Sequence, residues 1–414
     1  MLRYEISDED KQDCINLSIG LFYPLEGFVN EENFYSIVNQ NCLSDGRPFT
    51  IPISLALDKS IYNQTRIGQQ IVLTNRNKVI GQLQINDKFV INDHMECIRK
   101  IYQTNSMEHP GVAKELKTGK FRVGGRIELD SNLINKDSLN PVNTKKLFKS
   151  NGWKTIAGFQ TRNPIHMGHE HLQRIALEIC DGLFINPLVG WKKVGDFSEE
   201  AVNDGYQAML KHYYTGLNVH YALLRTPMRY AGPREAVFHA IIRRNLGCTH
   251  FIIGRDHAGV GNFYDKYEAQ NFALDVSQQF DLGIQLLLLK EPFRCKKCNQ
   301  MVPESTYTHD EKHWDKISGT LIRDLLSKNI IPVLVDARPF GKYSMVDIDA
   351  KGGVQVFVKD LLDSGLLNGD TLTCTGETLK EQIDRLNPKK PDGQVIYPVK
   401  KPFKETGGLR LLGG

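Results

Sequence analysis

Two histidines on either side of a methionine and a glycine, His166-Met167-Gly168-His169, have a spacing that indicates a chemical role. If they open a helix, the free backbone N–H groups and the helix dipole favour a bound anion, and the glycine lets that anion approach closely. The imidazoles of His166 and His169 can then hydrogen-bond the phosphates of a nucleotide and stabilise charge that develops when the α–β bond is cleaved. The alternative is a pair of surface histidines at a helix start.

The segment just before these histidines, Gln160-Thr161-Arg162-Asn163, offers two amides, a hydroxyl and a guanidinium. The planar guanidinium of Arg162 suits a tetrahedral oxyanion, because it donates two parallel hydrogen bonds. The alternative is an ordinary polar loop that closes a strand. Four donors directly before the two histidines favour an anion site.

A third segment, Gly254-Arg255-Asp256-His257-Ala258-Gly259, sets an arginine among small residues. Small residues let main-chain N–H groups approach a ligand. Arg255 could instead pair with Asp256, which could also orient a partner or support the loop. His257 could hydrogen-bond phosphate or pack beside a nucleotide.

Two more segments are weaker candidates. Arg225 to Arg234 contains three arginines and no acid, which predicts a basic loop for a polyphosphate or, alternatively, a solvated loop. Ile317 to Arg323 contains Ser318, a good helix N-cap, and its alternative is only a capped helix. The chain contains neither a GxxxxGK[ST] P-loop nor a GxSxG elbow, so we expect no Walker-type kinase domain and no covalent catalysis.

The elements that must position these residues alternate between strand and helix from Trp153 onward. Five apolar runs are predicted as strands: Thr155–Phe159, Leu183–Val189, Val219–Leu224, His250–Ile253 and Ile284–Leu289. Alternating strands and helices indicate a doubly wound parallel sheet with helices on both faces, the Rossmann-like form of α/β fold. Ligands bind such sheets beyond the carboxyl ends of the strands, at the switch point between the first and fourth. The polar segments follow the first, third and fourth strands.

We expect three domains. Residues 1–150 mix strand-like runs with turns and predict a β-rich domain, with a linker at Asn140–Gly152. Residues 151–325 form the catalytic α/β domain, and residues 326–414 a small C-terminal α/β domain.

Composition narrows the function further. The 414 residues are 41% hydrophobic and 24% charged, which is typical of a globular protein and excludes a wholly disordered, collagen-like or coiled-coil chain. The net charge of +4 predicts no nucleic-acid partner, so any anion site must be local. The N-terminus does not resemble a signal peptide, and the apolar run Ile284–Leu289 is too short to span a membrane. Eight scattered cysteines suit a reducing cytoplasm.

The motifs together resemble a known family. QTRNPIHMGHEHL, MRYAGPREA, GRDHAG and ISGTLIR occur in this order and are similar to those of ATP sulfurylase, also called sulfate adenylyltransferase. YPLEGF and LSDGRPFTIPI resemble the N-terminal PUA-like domain of that family. The resemblance implies a PUA-like N-terminal domain, a catalytic domain of the HxGH nucleotidylyltransferase type, and the form without a fused adenosine 5′-phosphosulfate (APS) kinase.

The resemblance also implies the reaction, in which sulfate attacks the α-phosphorus of ATP directly and gives APS and pyrophosphate, the first step of sulfate activation. Sulfate would be held by four residues: Gln160, Arg162, Arg255 and the backbone of Ala258. ATP would be bound by eight residues: Gln160, Asn163, His166, His169, Gly254, Arg255, Asp256 and His257. The catalytic residues would be Thr161, Arg162, Asn163, His166 and His169. Mg²⁺ is expected on the triphosphate rather than in a cage of protein ligands.

One departure from the family concerns a zinc site. Many bacterial and archaeal relatives have a CxxC pair, a third cysteine at the position of Tyr307 here, and then a histidine. This chain keeps Cys295 and Cys298, and His309 and His313 follow, so that the spacing is close to a structural Cys2His2 site in an insert at 293–314. Either zinc is kept, with His313 replacing the lost cysteine, or the loop is metal-free.

Two other functions remain open from the sequence: another HxGH nucleotidylyltransferase that acts on a cofactor precursor, and a non-enzymatic scaffold or RNA-binding protein. The resemblance further implies a cytoplasmic homodimer without membrane attachment. Its pathway partners would be a pyrophosphatase and an APS kinase or reductase. Whether it serves sulfate assimilation, respiration or the reverse reaction stays open.

Overall fold

A computed structural model describes residues 2–134, 139–191, 196–307, 309–315, 333–336, 342–370 and 377–404. The chain divides into two compact units, residues 1–317 and residues 318–414. The predicted helix start at Ile317–Arg323 lies outside the described residues. Among the described residues, no helix is both long enough and apolar enough to cross a membrane.

The N-terminal part of the first unit is built on a six-stranded sheet. Its strands are β1 (Arg3–Glu5), β2 (Gly27–Phe28), β3 (Leu55–Ala56), β4 (Gln70–Asn75), β5 (Lys78–Val90) and β6 (Phe121–Leu129). The order is β1-β4-β5-β6-β2, with β3 also paired to β6, and only β1 runs parallel to its neighbour. A two-residue turn joins β4 to β5, and both its residues, Arg76 and Asn77, have positive φ, which matches the twist of a hairpin.

This part contains more helix than the sequence analysis expected. Its helices are α1 (Asp8–Ser18), α2 (Glu31–Gln40), α3 (Lys59–Gln64), α4 (His94–Tyr102), α5 (Pro110–Thr118) and α6 (Pro141–Ser150). Helix α6 occupies the stretch predicted as a linker, so that prediction is wrong. The signals were present: Asn140 caps the helix by accepting a hydrogen bond from the Asn143 N–H at 2.9 Å, and Pro141 stands in the first turn.

The second sheet has the predicted parallel order. Its strands are β7 (Ile156–Phe159), β8 (Gly182–Ile185), β10 (Val219–Tyr221), β12 (His250–Ile253) and β13 (Gln285–Leu288). They are arranged β10-β8-β7-β12-β13, and every pair is parallel. The sheet therefore has the predicted switch point, between its first and fourth strands. Two predicted strands break in two, because β9 (Leu188–Val189) and β11 (Leu224–Arg225) form a separate parallel pair.

Four helices follow strands of this sheet: α7 (Met167–Ile179), α8 (Glu199–His212), α9 (Gly232–Asn245) and α10 (Glu268–Gln279). Every residue of α9 except Arg244 is buried. Its Phe238 ring contacts Phe22 and Phe49 of the N-terminal part, with ring centroids 5.1 Å and 5.6 Å apart. The two sheets of the first unit thus share one hydrophobic core.

A small antiparallel sheet follows β13. It consists of β14 (Pro292–Cys295), β15 (Met301–Pro303) and β16 (Trp314–Asp315), in the order β15-β14-β16. Helix α7 lies against β14 and β15. In the second unit the described helices are α11 (Met345–Ala350), α12 (Val354–Asp363) and α13 (Leu379–Leu386), and Ile348, Val356, Val395 and Ile396 form its small core.

Candidate active site

The two histidines of the HxGH segment lie where β7 gives way to α7. His166 is the N-cap residue of α7, in extended conformation, and His169 lies in the first turn. Their imidazole rings stack with centroids 3.8 Å apart and an angle of 25° between the planes. A Cβ on Gly168 would lie 3.1 Å from the His166 ring, so glycine leaves the space that this stack needs.

Both histidines are neutral in the ligand-free protein. Burial lowers the pKa of His166 to about 4. Burial and the neighbouring His166 ring lower the pKa of His169 well below its usual value. The Nδ1 atom of each ring is buried without a hydrogen-bond partner in the part of the chain that is described. Such unpaired atoms are costly in a folded protein unless a ligand meets them, and an anion here would also raise both pKa values.

The loop after β7 is fixed by internal hydrogen bonds. The Asn163 N–H donates to Thr161 Oγ1 at 3.0 Å, which closes a tight turn. Thr161 is buried, and the Gln160 Oε1 atom is buried without a hydrogen-bond partner among the described residues. This loop therefore presents at least one polar group for a ligand.

Arg162 is held by three contacts. Its Nη2 donates to the Gly259 carbonyl at 2.8 Å, and its Nε lies 3.4 Å from Asp196 Oδ2. Its guanidinium also lies over the Tyr230 ring, 5.5 Å from the centroid, and the Tyr230 hydroxyl donates to the same Asp196 oxygen at 2.9 Å. The sequence analysis missed Asp196. Its one signal is that it is the first acid on the connection after the second strand.

The loop after β12 is shaped by unusual backbone angles. Asp256 and Ala258 both have positive φ, at 48° and 56°. A Cβ on Gly259 would lie 1.8 Å from Asp256 Oδ1, so any other residue there would displace the Asp256 carboxylate. Turns of this kind make concave surfaces lined by backbone N–H groups, which suit anions.

Arg255 pairs with Glu291 rather than with the neighbouring Asp256. Its Nη1 lies 3.2 Å from Glu291 Oε1, and Lys266 Nζ lies 3.1 Å from the other oxygen of the same carboxylate. The Arg255 side chain is about one third exposed, so it can also meet a ligand. Glu291 was not recognised in the sequence, since it is separated from Arg255 by a helix and a strand.

His257 belongs to a buried pair beneath this loop. Its Nε2 lies 3.2 Å from His239 Nδ1, and His239 Nε2 lies 3.4 Å from Glu235 Oε1. Burial and the neighbouring His239 lower the pKa of His257 well below its usual value. The ring is only 9% exposed, so its position suits support of the loop more than contact with phosphate.

The three arginines of the segment 225–234 do not form a polyphosphate loop, and that prediction is wrong. Arg225 makes two hydrogen bonds to Glu199, and Arg229 makes two to Asp13, both through carboxylate oxygens. Arg234 donates to the backbone carbonyls of Ile37, Val38 and Thr50. The acids that pair with Arg225 and Arg229 lie 26 and 216 residues away in the sequence. The lack of acids within the segment therefore did not mean that these arginines were free to bind phosphate.

Comparisons with known proteins identify the family of the chain. A family model described as ATP-sulfurylase matches residues 136–339, and a PUA-like domain model matches residues 1–132. The sulfate adenylyltransferase of Hyperthermus butylicus is 44% identical over 331 residues, which cover 79% of this chain and 84% of that protein. The sulfate adenylyltransferase of Pyrococcus abyssi is also 44% identical, with 79% and 85% coverage. The chain belongs to the sulfate adenylyltransferase family.

As a member of that family, the protein is an enzyme of the nucleotidyltransferase class. A solved structure, the hexameric APS kinase from Thiobacillus denitrificans, has a TM-score of 0.58 at 18% identity and covers 79% of this chain and 58% of that one. At this identity the likeness concerns the fold alone. A model of the dihydroxy-acid/6-phosphogluconate dehydratase N-terminal domain also matches residues 322–382, which include none of the candidate site residues.

Three of the four predicted zinc ligands lie close together in the structure. One ligand atom each from Cys295, Cys298 and His309 lies within 4.8 Å of the others. Burial opposes ionisation of Cys295, but hydrogen bonds from Tyr307, the Cys298 N–H and His309 outweigh it and lower its pKa to about 6. These donors, two sulfurs and an imidazole, are the ones that structural zinc sites use.

His313 does not belong to this group, contrary to the sequence prediction. It ends a one-turn 3₁₀ helix (Glu311–His313), and its backbone carbonyl accepts a hydrogen bond from the Lys296 N–H at 2.9 Å. His309 lies outside this helix, before its N-cap residue Asp310. The expected Cys2His2 set is therefore a Cys2His set.

Proposed function

We propose that the loops after β7 and β12 transfer the adenylyl group of ATP to sulfate, with release of pyrophosphate. The observation that carries this assignment is the pair of neutral imidazoles at the start of α7, whose Nδ1 atoms have no hydrogen-bond partner among the described residues. Helix α7 follows β7, and β7 pairs with β12, the strand that precedes Arg255. Donors and a helix N-terminus meet at the switch point of a parallel sheet, where nucleotides bind.

Residues of the loops after β7 and β12 bind the two substrates. Sulfate is bound by Gln160, Arg162, Arg255 and the backbone of Ala258. ATP is bound by the two histidines, Asn163 and the residues from Gly254 to His257, with His257 acting from beneath the loop. Thr161 fixes the turn that orients Asn163. No protein nucleophile is needed, because a sulfate oxygen attacks the α-phosphorus and pyrophosphate leaves.

Catalysis then depends on positioning and on charge. Arg162 enters the reaction already oriented by Asp196 and Tyr230, so little freedom is lost when sulfate binds. The triphosphate raises the pKa values of His166 and His169, so that their N–H groups can stabilise the charge that grows on the departing pyrophosphate. His166 and His169 are thus neutral before ATP binds and become protonated beside the triphosphate.

Two metals are part of this proposal. Mg²⁺ enters bound to the triphosphate, since most polar groups assigned here are hydrogen-bond donors suited to phosphate oxygens. A structural zinc would be held by Cys295, Cys298 and His309 beside the small sheet. That sheet lies against α7, and a Cβ on Gly168 would be 3.6 Å from Pro292.

The assay is sulfate-dependent release of pyrophosphate from ATP by the purified protein. We expect Arg255→Ala to lower kcat/KM by about 100-fold or more, because a charged donor to the oxyanion is lost. Arg225→Ala is the matched control, since Arg225 forms only an exposed ion pair. If pyrophosphate is released only with an organic phosphate acceptor, the protein is instead another HxGH nucleotidylyltransferase. The cytoplasmic location, the homodimer and the pathway partners stay predictions.

A further inference from the structure

The Tyr307 ring packs against the small three-stranded sheet. Its ring meets Phe293 edge-on, with centroids 4.8 Å apart, and contacts Trp314 at 5.7 Å. Phe293 and Trp314 stack on each other at 4.2 Å, and Phe293 is 1% exposed. These contacts fix where the Tyr307 hydroxyl can lie.

The hydroxyl lies beside one of the candidate metal-binding atoms, the sulfur of Cys295. Tyr307 Oη is 3.1 Å from Cys295 Sγ, and His309 Nδ1 is 3.4 Å from the same sulfur. In a tetrahedral zinc site, with Zn–S near 2.3 Å and Zn–N or Zn–O near 2.0 Å, neighbouring ligand atoms are about 3.5 Å apart. The hydroxyl is thus slightly closer to Cys295 than a second ligand of the same ion would be, so a small outward shift would bring it to the distance of a ligand.

The group of two cysteines and one histidine leaves one position of a tetrahedron open. Among the described residues, no other histidine, cysteine or carboxylate joins the group. A structural zinc site normally has four protein ligands. The neighbour with a suitable atom at a suitable distance is Tyr307.

We propose that Tyr307 is the fourth zinc ligand, as a phenolate. This inference rests on the proposed zinc site. The Zn–O bond forms as the hydroxyl proton leaves to solvent. Two thiolates and one phenolate give the site a net charge of −1, and the exposed side chains of Lys296 and Lys297, between the two cysteines, lie where they can offset it.

A phenolate oxygen is a harder ligand than a thiolate, so the site should discriminate among metals differently from a Cys3His site. Replacing Tyr307 by cysteine should restore the soft ligand and tighten zinc binding. Replacing it by phenylalanine removes only the oxygen and keeps the aromatic packing with Phe293 and Trp314. This pair of variants separates ligation from packing.

The experiment uses the full-length protein and Zn²⁺ itself. Zinc content and affinity are measured by chelator competition for the wild type, Tyr307→Phe, Tyr307→Cys and His313→Ala. We expect Tyr307→Phe to weaken zinc binding by about tenfold or more, Tyr307→Cys to bind at least as tightly as the wild type, and His313→Ala to match the wild type. Thermal unfolding of the zinc-free forms checks that Tyr307→Phe folds normally.

X-ray absorption at the zinc edge gives an independent count of ligands. We expect two sulfurs and a single imidazole in the wild type, and three sulfurs in Tyr307→Cys. Addition of Zn²⁺ to the zinc-free wild type should also produce the ultraviolet difference spectrum of an ionised tyrosine, absent in Tyr307→Phe.

Two results would overturn the inference in distinguishable ways. Zinc bound equally well by Tyr307→Phe, or two imidazoles in the absorption spectrum, rejects Tyr307 as a ligand while the zinc site stands. A wild-type protein that takes up no zinc rejects the zinc site itself, and the Tyr307 ligand with it. Neither result bears on the transfer reaction, which is measured separately.

Discussion

The arginines that follow strands of the parallel sheet divide into two groups. Arg162 and Arg255 lie on the loops at the switch point, and each pairs with an acid of a neighbouring loop, Asp196 or Glu291. Arg229 and Arg234 follow the third strand, yet both are bound to the N-terminal part of the unit. Arg234 is buried, and the Arg229 side chain is 16% exposed. The same residue type thus serves a ligand site in one loop and the joining of two sheets in the next. The two roles differ in where the bonding partner lies. The partners of Arg162 and Arg255 belong to loops of the parallel-sheet part, whereas those of Arg229 and Arg234 belong to the N-terminal part.

The largest expected effect tests the first group. Arg162→Lys keeps a positive charge near Asp196 but loses the planar guanidinium and its bond to the Gly259 carbonyl. We expect kcat/KM for sulfate to fall by about 100- to 1000-fold, with the free energy of unfolding nearly unchanged. Steady-state kinetics and urea unfolding measure the two. Unchanged kinetics would show that Arg162 does not act on sulfate and has a structural role, like Arg229 and Arg234.

The second group predicts the opposite result. Arg234→Met leaves the carbonyls of Ile37, Val38 and Thr50 without their buried donor. We expect the free energy of unfolding to fall by about 3 kcal/mol, while kcat/KM of the folded enzyme stays within about twofold. Urea unfolding and assays at low temperature are the measurements. A large loss of kcat/KM without loss of stability would return Arg234 to the active site.

A pH experiment sharpens the contrast, because the histidines at the switch point are buried neutral. Burial holds the pKa of His166 near 4, and the pKa of His169 is also lowered. The unfolded chain therefore binds more protons than the folded one between about pH 6.5 and 4, so stability falls as pH is lowered through this range. Chemical unfolding at each pH should show this decline, and His166→Asn should show less of it. An identical decline in His166→Asn would contradict a buried neutral His166.

The smallest effect is expected at an exposed arginine. Arg225 pairs with Glu199 through two hydrogen bonds, but both side chains are well exposed to solvent. We expect Arg225→Met to change the free energy of unfolding by less than about 1 kcal/mol and the kinetics not at all. Chemical unfolding and the pyrophosphate assay check this. A loss of unfolding free energy as large as that of Arg234→Met would show that solvent exposure does not determine how much each of these arginines contributes to stability.

Local signals in the sequence predicted much of the fold. Each strand and helix of the parallel sheet was visible in apolar spacing, and the position of His166 at a helix start followed from it. The switch point between the first and fourth strands followed from the doubly wound arrangement that alternating strands and helices predict. The prediction of a linker at Asn140–Gly152 was wrong. The polar composition of this stretch suggests a loop, but Asn140 and Pro141 are ordinary helix-start residues and the stretch forms a helix.

Partners that are distant in the chain could not be predicted in the same way. Asp13 and Arg229 are 216 residues apart, and nothing in either segment indicates the other. Glu291 and Asp196 were missed for the same reason. Tyr307 was recognised only as a missing cysteine, because its closeness to Cys295 depends on the packing of Phe293 and Trp314 around it.

The Phe238 ring between Phe22 and Phe49 has a consequence for how the chain can be divided. A protease cut between β6 and α6 would sever the backbone but not the aromatic contacts that join the two sheets. The fragments should therefore stay together after cleavage and separate only in denaturant. Fragments produced apart should each expose an apolar face and recover activity only when mixed, as in enzyme complementation.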